Sequence, residues 1–348
     1  MRRRGAQPAT GARPDTRPGS LPALARRVHA PWRALATAAM ALLLAAPCAA
    51  AIPAEGGGAA ARPARPFHFS ALGHPFRAAT DENLLRRAIT EANQDKPAFI
   101  VATGIKAPTE ACSDRLYAQR RDILDGSPRP LVLLPAGSDW AGCRNSAGRS
   151  NAIERLNRLR EVFYPDSQSL GVRRMPLTRL SANVKFRSYA ENAYWEQGGI
   201  LFATLNIPDN NNHYLPEAGR NSEYEDRLVA NRAWLHRLFL MAQRRNMEGI
   251  VLFTDGDIKA HVDEGFSLLS GFSAKQDGYA PVRKQVRTFA EKYKGKVLLV
   301  DSQGDAKAAP AITWRGNLGR LGVAGEWETV RIVPGTASLF SLKDADAP

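Results

Sequence analysis

Histidine and cysteine are scarce in this chain, with six His and three Cys among 348 residues. No histidine follows His261, so the C-terminal stretch brings no imidazole to a metal or to acid–base chemistry. Several catalytic signatures are also missing. There is no G-x-S-x-G elbow, no Gly-Lys-Ser/Thr phosphate loop and no G-x-G-x-x-G turn, which removes the usual serine-hydrolase, P-loop and dinucleotide readings. Acidic residues are outnumbered, 34 Asp and Glu against 48 Lys and Arg, for a formal charge of +14. The Ala/Leu-rich run Ala34–Ala46 is too short to span a bilayer, which takes about 20 residues.

The basic excess is concentrated at the start. Residues 1–51 carry Arg2, Arg3, Arg4, Arg13, Arg17, Arg26, Arg27 and Arg33 against Asp15 alone. A basic stretch, the apolar run Ala34–Ala46 and the small residues Cys48 to Ala51 follow one another. That order predicts a signal peptide over 1–51 and a periplasmic or secreted protein. Residues 52–65 read as a Pro/Ala/Gly-rich lead-in, and 66–345 as one domain. The remaining positive charge reads as a solvated basic surface. No basic run is interleaved with aromatics, so a nucleic-acid partner is not expected. Cleavage would leave Cys112 and Cys143, which an oxidising compartment could bridge or leave as two buried thiols.

From Pro66 onward the apolar pattern alternates between strand and helix. Pro66–Leu72, Ala98–Thr103, Leu131–Leu134, Ile200–Ile207, Gly249–Thr254 and Lys296–Val300 read as strands. Asp81–Gln94, Ser113–Asp125, Asn151–Tyr164, Glu223–Arg245 and Val282–Tyr293 read as helices, the third turning Ile153, Leu156, Leu159 and Phe163 inward. Trp327–Val333 and Ser338–Leu342 read as antiparallel β. This alternation predicts an α/β layered domain, with chemistry at the loops beyond the strand ends. Those loops carry His74, Gly104-Ile105-Lys106, Ser138-Asp139, Asn211-Asn212, Asp255-Gly256-Asp257 and Asp305.

The segments FSALGHPF (69–76), FIVATGIKAPTEAC (99–112), LLPAGSDWAGC (133–143), ERLNRLREVFY (154–164), SLG (169–171) and YWEQGGILFATLNIPDNNN (194–212) follow one another in a telling order. Together they resemble an exported bacterial branch of the calcineurin-like metallophosphoesterases. The resemblance implies a four-layer sandwich of two mixed sheets flanked by helices, and a Cys112–Cys143 disulfide. It also implies a two-metal centre at the strand ends. Position by position, however, the ligands are replaced. His74 stands for the first Asp, Ile105 for the bridging Asp, Ser138 for the amide ligand, and Thr254 for a Gln or His. Asp139, Asn211, Asn212, Asp255 and Asp305 are the other positions of this degenerate site.

Ile105 has no electron pair to give a cation. The expectation is therefore an inactive phosphoesterase-like protein without cofactor, serving as a binding or scaffold module for an anionic ligand or a protein partner. Lys106, Arg144 and Arg149 are candidates to hold an anion, and the basic helix faces around Arg232–Arg245 are candidates to meet a protein. The alternative is a diverged phosphoric ester hydrolase with one divalent ion (Mn, Fe, Zn or Mg) near His74, Asp139, Asp255, Asp257 and Asp305. On the bland reading, His74 is a hydrogen-bonded surface or half-buried residue and the loop acids satisfy turn backbone.

Overall fold

The structure is a computed structural model describing residues 65–76, 80–216, 221–262 and 276–343. The expected signal segment 1–51, and the expected lead-in up to residue 64, lie outside the described residues. All the described residues belong to one compact unit, 60–348.

Two mixed sheets form the frame. The first has five strands, in the order β12 (Phe340–Leu342), β11 (Trp327–Ile332), β1 (Phe67–Leu72), β2 (Ile100–Thr103) and β3 (Leu131–Leu134). Its β1, β2 and β3 run parallel, while β11 is antiparallel to both β1 and β12. The second has seven: β4 (Thr178–Arg179), β5 (Ala193–Gln197), β6 (Ile200–Thr204), β7 (Gly249–Thr254), β8 (Lys296–Asp301), β10 (Leu318–Gly322) and β9 (Ile312–Arg315). Here β6, β7, β8 and β10 are parallel, and antiparallel strands close both edges.

The central strands are buried on both faces, so they read as unbroken apolar runs rather than alternating ones. All six residues of β7 are buried, as are all five of β6. One aromatic core joins strands of both sheets. Phe69 stacks on Phe99 at 5.4 Å and meets Phe202 and Phe253 edge-on at 5.6 Å. A second core packs α1 (Glu82–Gln94), α2 (Asp114–Asp125) and α4 (Ala152–Phe163) on the five-stranded sheet. A third packs α6 (Ser222–Arg244) and α7 (Ala280–Lys292) on the seven-stranded sheet. The α/β layering expected from the sequence is therefore present.

Helix starts follow local chemistry. The Asp81 side chain accepts from Asn83 N–H, and Ser113 accepts from Leu116 N–H, each satisfying an amide that the first helical turn leaves over. One expectation about α4 fails: Ile153 is 57% exposed. The buried face of α4 runs through Ala152, Leu156, Leu159 and Phe163, and Ile153 lies about 100° round the helix from Ala152, off that face. The strands β4, β5, β9 and β10, the outer pairs of the seven-stranded sheet, are additions to the elements expected from periodicity. Among the described residues no helix is long and apolar enough to cross a membrane.

Candidate functional site

Six loops leave the carboxyl ends of β1, β2, β3, β6, β7 and β8, and side chains tie them together. After β1, His74 turns inward and is 4% exposed, so it is neither a surface nor a half-buried residue. Its ring lies on the backbone of Gly104 after β2. A Cβ at Gly104 would sit 1.8 Å from His74 Cδ2, and Gly104 has a φ of +76°. Only glycine meets both demands. His74 Nε2 is 3.0 Å from Ser138 Oγ, and that hydroxyl donates to the Lys106 carbonyl at 3.1 Å. With the serine proton so used, the imidazole is assigned as donor to Ser138 Oγ.

After β3 the chain makes one helical turn, α3 (Gly137–Trp140), carrying Asp139. Its carboxylate turns back onto the loops themselves. Oδ1 accepts from the Ile105 and Lys106 amides at 3.0 and 3.3 Å, and Oδ2 accepts from the Ala136 amide at 2.8 Å. Burial pushes the carboxyl up to about 7, against the pull of those amides and of the Lys106 ammonium. Lys106 is also turned inward. It is 1% exposed, and Nζ donates to the Ala107 and Ser138 carbonyls at 2.7 and 2.8 Å. Burial holds its pKa below the usual lysine range. Lys106 is thus a cross-link between the β2 and β3 loops, not a free cation for an anion at the strand ends. Arg144 and Arg149 are exposed on the 144–150 turn.

Asp255, just past β7, joins the two sheets. Oδ2 accepts from Gly137 N–H at 2.7 Å and from Asp209 N–H at 2.9 Å, while Oδ1 accepts from the Ser302 hydroxyl at 2.7 Å. A Cβ at Gly137 would meet Asp209 Oδ1 at 2.4 Å, so a larger residue here would push that side chain aside. Beside it, Asp301 takes a two-pronged bond from Arg320, at 2.8 and 2.7 Å. Burial nevertheless pushes Asp301 up to about 6. Thr254 donates to the Gly256 carbonyl, so it closes a turn.

The loop after β6 contains α5 (Asp209–Asn212), a turn wound left-handed. Asn210, Asn211, Asn212 and His213 have φ of +58°, +57°, +56° and +52°. Asparagine tolerates this conformation better than other chiral residues. The turn is held from outside. Asn211 bonds the backbone of Gln276 and Gly278, and Asn212 bonds the Gly278 carbonyl and Arg227. His213 pairs with Glu223 at 3.0 Å and meets Trp140 edge-on at 4.8 Å. Burial disfavours the Glu223 charge, but Arg227 and the His213 hydrogen bond outweigh it and hold the carboxyl at about 2.

The loops thus gather His74, Ile105, Ser138, Asp139 and Asp255, with Asn211 and Asn212 on the adjoining β6 loop. Asp305 is not among them. It is exposed, and its carboxylate accepts from Lys307 N–H in a turn of its own. The inward Lys106 and the Glu223–Arg227–His213 group were not anticipated. Their only sequence signal is the i,i+4 spacing of Glu223 and Arg227. A two-metal centre needs several carboxylates and imidazoles aimed at one point, and these donors do not fit it. Asp139 and Asp255 each accept three hydrogen bonds, and Ile105 supplies only a side chain that is fully buried. Among the described residues no three His, Cys, Asp or Glu side chains are grouped as a metal would need.

Cys112 and Cys143 are bridged, with Cα atoms 5.9 Å apart and a sequence separation of 31. The bridge pins the segment after β2 to the end of the β3 loop, immediately behind Asp139. Replacing both cysteines with Ser is expected to cost about 3 kcal/mol from loop-closure entropy, read as a lower urea midpoint. A loss under about 1 kcal/mol would show that packing alone holds the two segments. In comparisons with known proteins, no family model matches the chain, and no curated protein matches it.

Proposed function

We propose that the chain is an exported, calcineurin-like metallophosphoesterase-like protein whose metal centre has given way to internal hydrogen bonds, and that it acts as a binding or scaffold module. One observation carries the reading. The two carboxylates best placed for a metal, Asp139 and Asp255, are spent on five backbone amides and one hydroxyl. Turning either outward would strand buried amides, each costing about 1–3 kcal/mol. The two mixed sheets and the order of the sequence motifs support the framework. The disulfide supports export, because such bridges persist in oxidising compartments.

The test is the metal content of the purified protein, measured with its hydrolysis of an aryl phosphodiester in added manganese. Less than about one-tenth of a metal per chain and no turnover above buffer are expected. Stoichiometric metal together with phosphodiester cleavage would overturn the proposal in favour of the diverged hydrolase.

A further inference from the structure

The other end of the seven-stranded sheet carries a second concave feature. β8 begins there at Lys296, five residues before the Asp301 that faces the loops described above. A groove of about 540 Å³ is lined by Lys296, Trp314, Arg331, Leu339 and Phe340, among others. Trp314, on the edge strand β9, is 38% exposed. It lies across Gly319 of β10, where a Cβ would come within 2.7 Å of the indole. The Phe340 ring runs nearly parallel to it, at 6.4 Å and 17°.

The charge of this groove has one sign. Lys296 Nζ stands 4.8 Å from the Trp314 ring centre, which holds a flexible side chain over the groove. Among the described residues neither Lys296 nor Arg331 has a carboxylate in ion-pair reach. Glu248 is adjacent, its carbonyl accepting from Lys296 N–H, but its carboxylate is engaged by Gly335 N–H at 2.5 Å. An apolar floor and two unpaired cations make complementary demands. A neutral ring would leave the two cations without a counter-charge, and an inorganic anion would leave the floor wet.

We propose that this groove binds a small aromatic anion, its ring against Trp314 and its charged group beside Lys296 and Arg331. The site is independent of the strand-end cleft, so either reading can fail without the other. The probe is phenylphosphonate, whose C–P bond a phosphoesterase does not cleave, titrated calorimetrically into the purified protein beside phenol and inorganic phosphate. Phenylphosphonate is expected to bind at least about tenfold more tightly than either comparison compound. Trp314→Leu, and separately Lys296→Gln with Arg331→Gln, should each weaken it about tenfold or more, while circular dichroism shows the fold retained. These positions are at the surface or the sheet edge, and the single Lys296→Gln change serves if the double variant is unstable. Absence of phenylphosphonate binding would overturn the proposal. So would undiminished binding by the folded variants, which would place the anion elsewhere, the cleft included.

Discussion

Asp139→Ala is expected to lower stability by about 5 kcal/mol, a fall in melting temperature of about 10–15 °C for a domain of this size. Ile105, Lys106 and Ala136 would lose the acceptor for their amides, in a place that water does not reach, since Asp139 is 0% exposed. An unsatisfied buried amide costs about 1–3 kcal/mol, and relaxation of the loop recovers part of the sum. The Lys106 ammonium would also lose its nearest buried counter-charge, which is where a broken buried pair becomes expensive. Its two carbonyl partners remain, so the pocket should stay closed around it. Differential scanning calorimetry of the variant measures the loss. A change below about 2 °C would mean that the amides find other partners and that Asp139 is not what holds the β2 and β3 loops together.

The frame was legible in the sequence because burial on both faces writes itself as continuous apolar runs. Leu131–Leu134, Ile200–Thr204 and Gly249–Thr254 are fully buried and were found by that pattern. The β9–β10 hairpin was not. Three of the four β9 residues are exposed, and β10 contains Gly319 and Gly322, so neither strand shows the period-two contrast that marks a half-buried one. Ile153 failed for a related reason. Ala152, one residue earlier in the same turn, is the buried one, and spacing alone does not say which flank of an apolar stripe turns to the core.

The candidate site was legible in position and not in orientation. Every loop named from the sequence lies at the shared end of the two sheets, although the Asp305 carboxylate turns into a turn of its own. Whether a carboxylate points out to a ligand or back to its own loops depends on amides distant in sequence. Asp255 reaches Gly137, 118 residues earlier. Lys106 illustrates the same limit. A lysine after an exposed-looking loop reads as a surface cation, and it is the Ser138 carbonyl from the next strand's loop, added to that of Ala107, that offsets its burial. A long-range partner of this kind leaves no mark in local spacing.

Asp255 gives the sharpest test of whether the carboxylates act as hydrogen-bond hubs or as charges awaiting a cation. Asp255→Ala should cost about 4 kcal/mol, since the Gly137 and Asp209 amides and the Ser302 hydroxyl all lose their acceptor. Asp255→Asn should cost only about 1 kcal/mol. The asymmetry of the site makes this so. Both amides converge on Oδ2, and Oδ1 meets a hydroxyl that can turn and accept from an amide NH2. Asparagine therefore fits in one orientation with both amides and the hydroxyl still paired, and only its second N–H is left over. Asp139 allows no such fit, because N–H donors face both of its oxygens, so Asp139→Asn should remain nearly as damaging as Asp139→Ala. Urea unfolding of the four variants measures the contrast. If Asp255→Asn proved as destabilising as Asp255→Ala, the negative charge itself would be what the fold requires. A cation at the junction of the two sheets would then replace the hydrogen-bonded lock as the explanation.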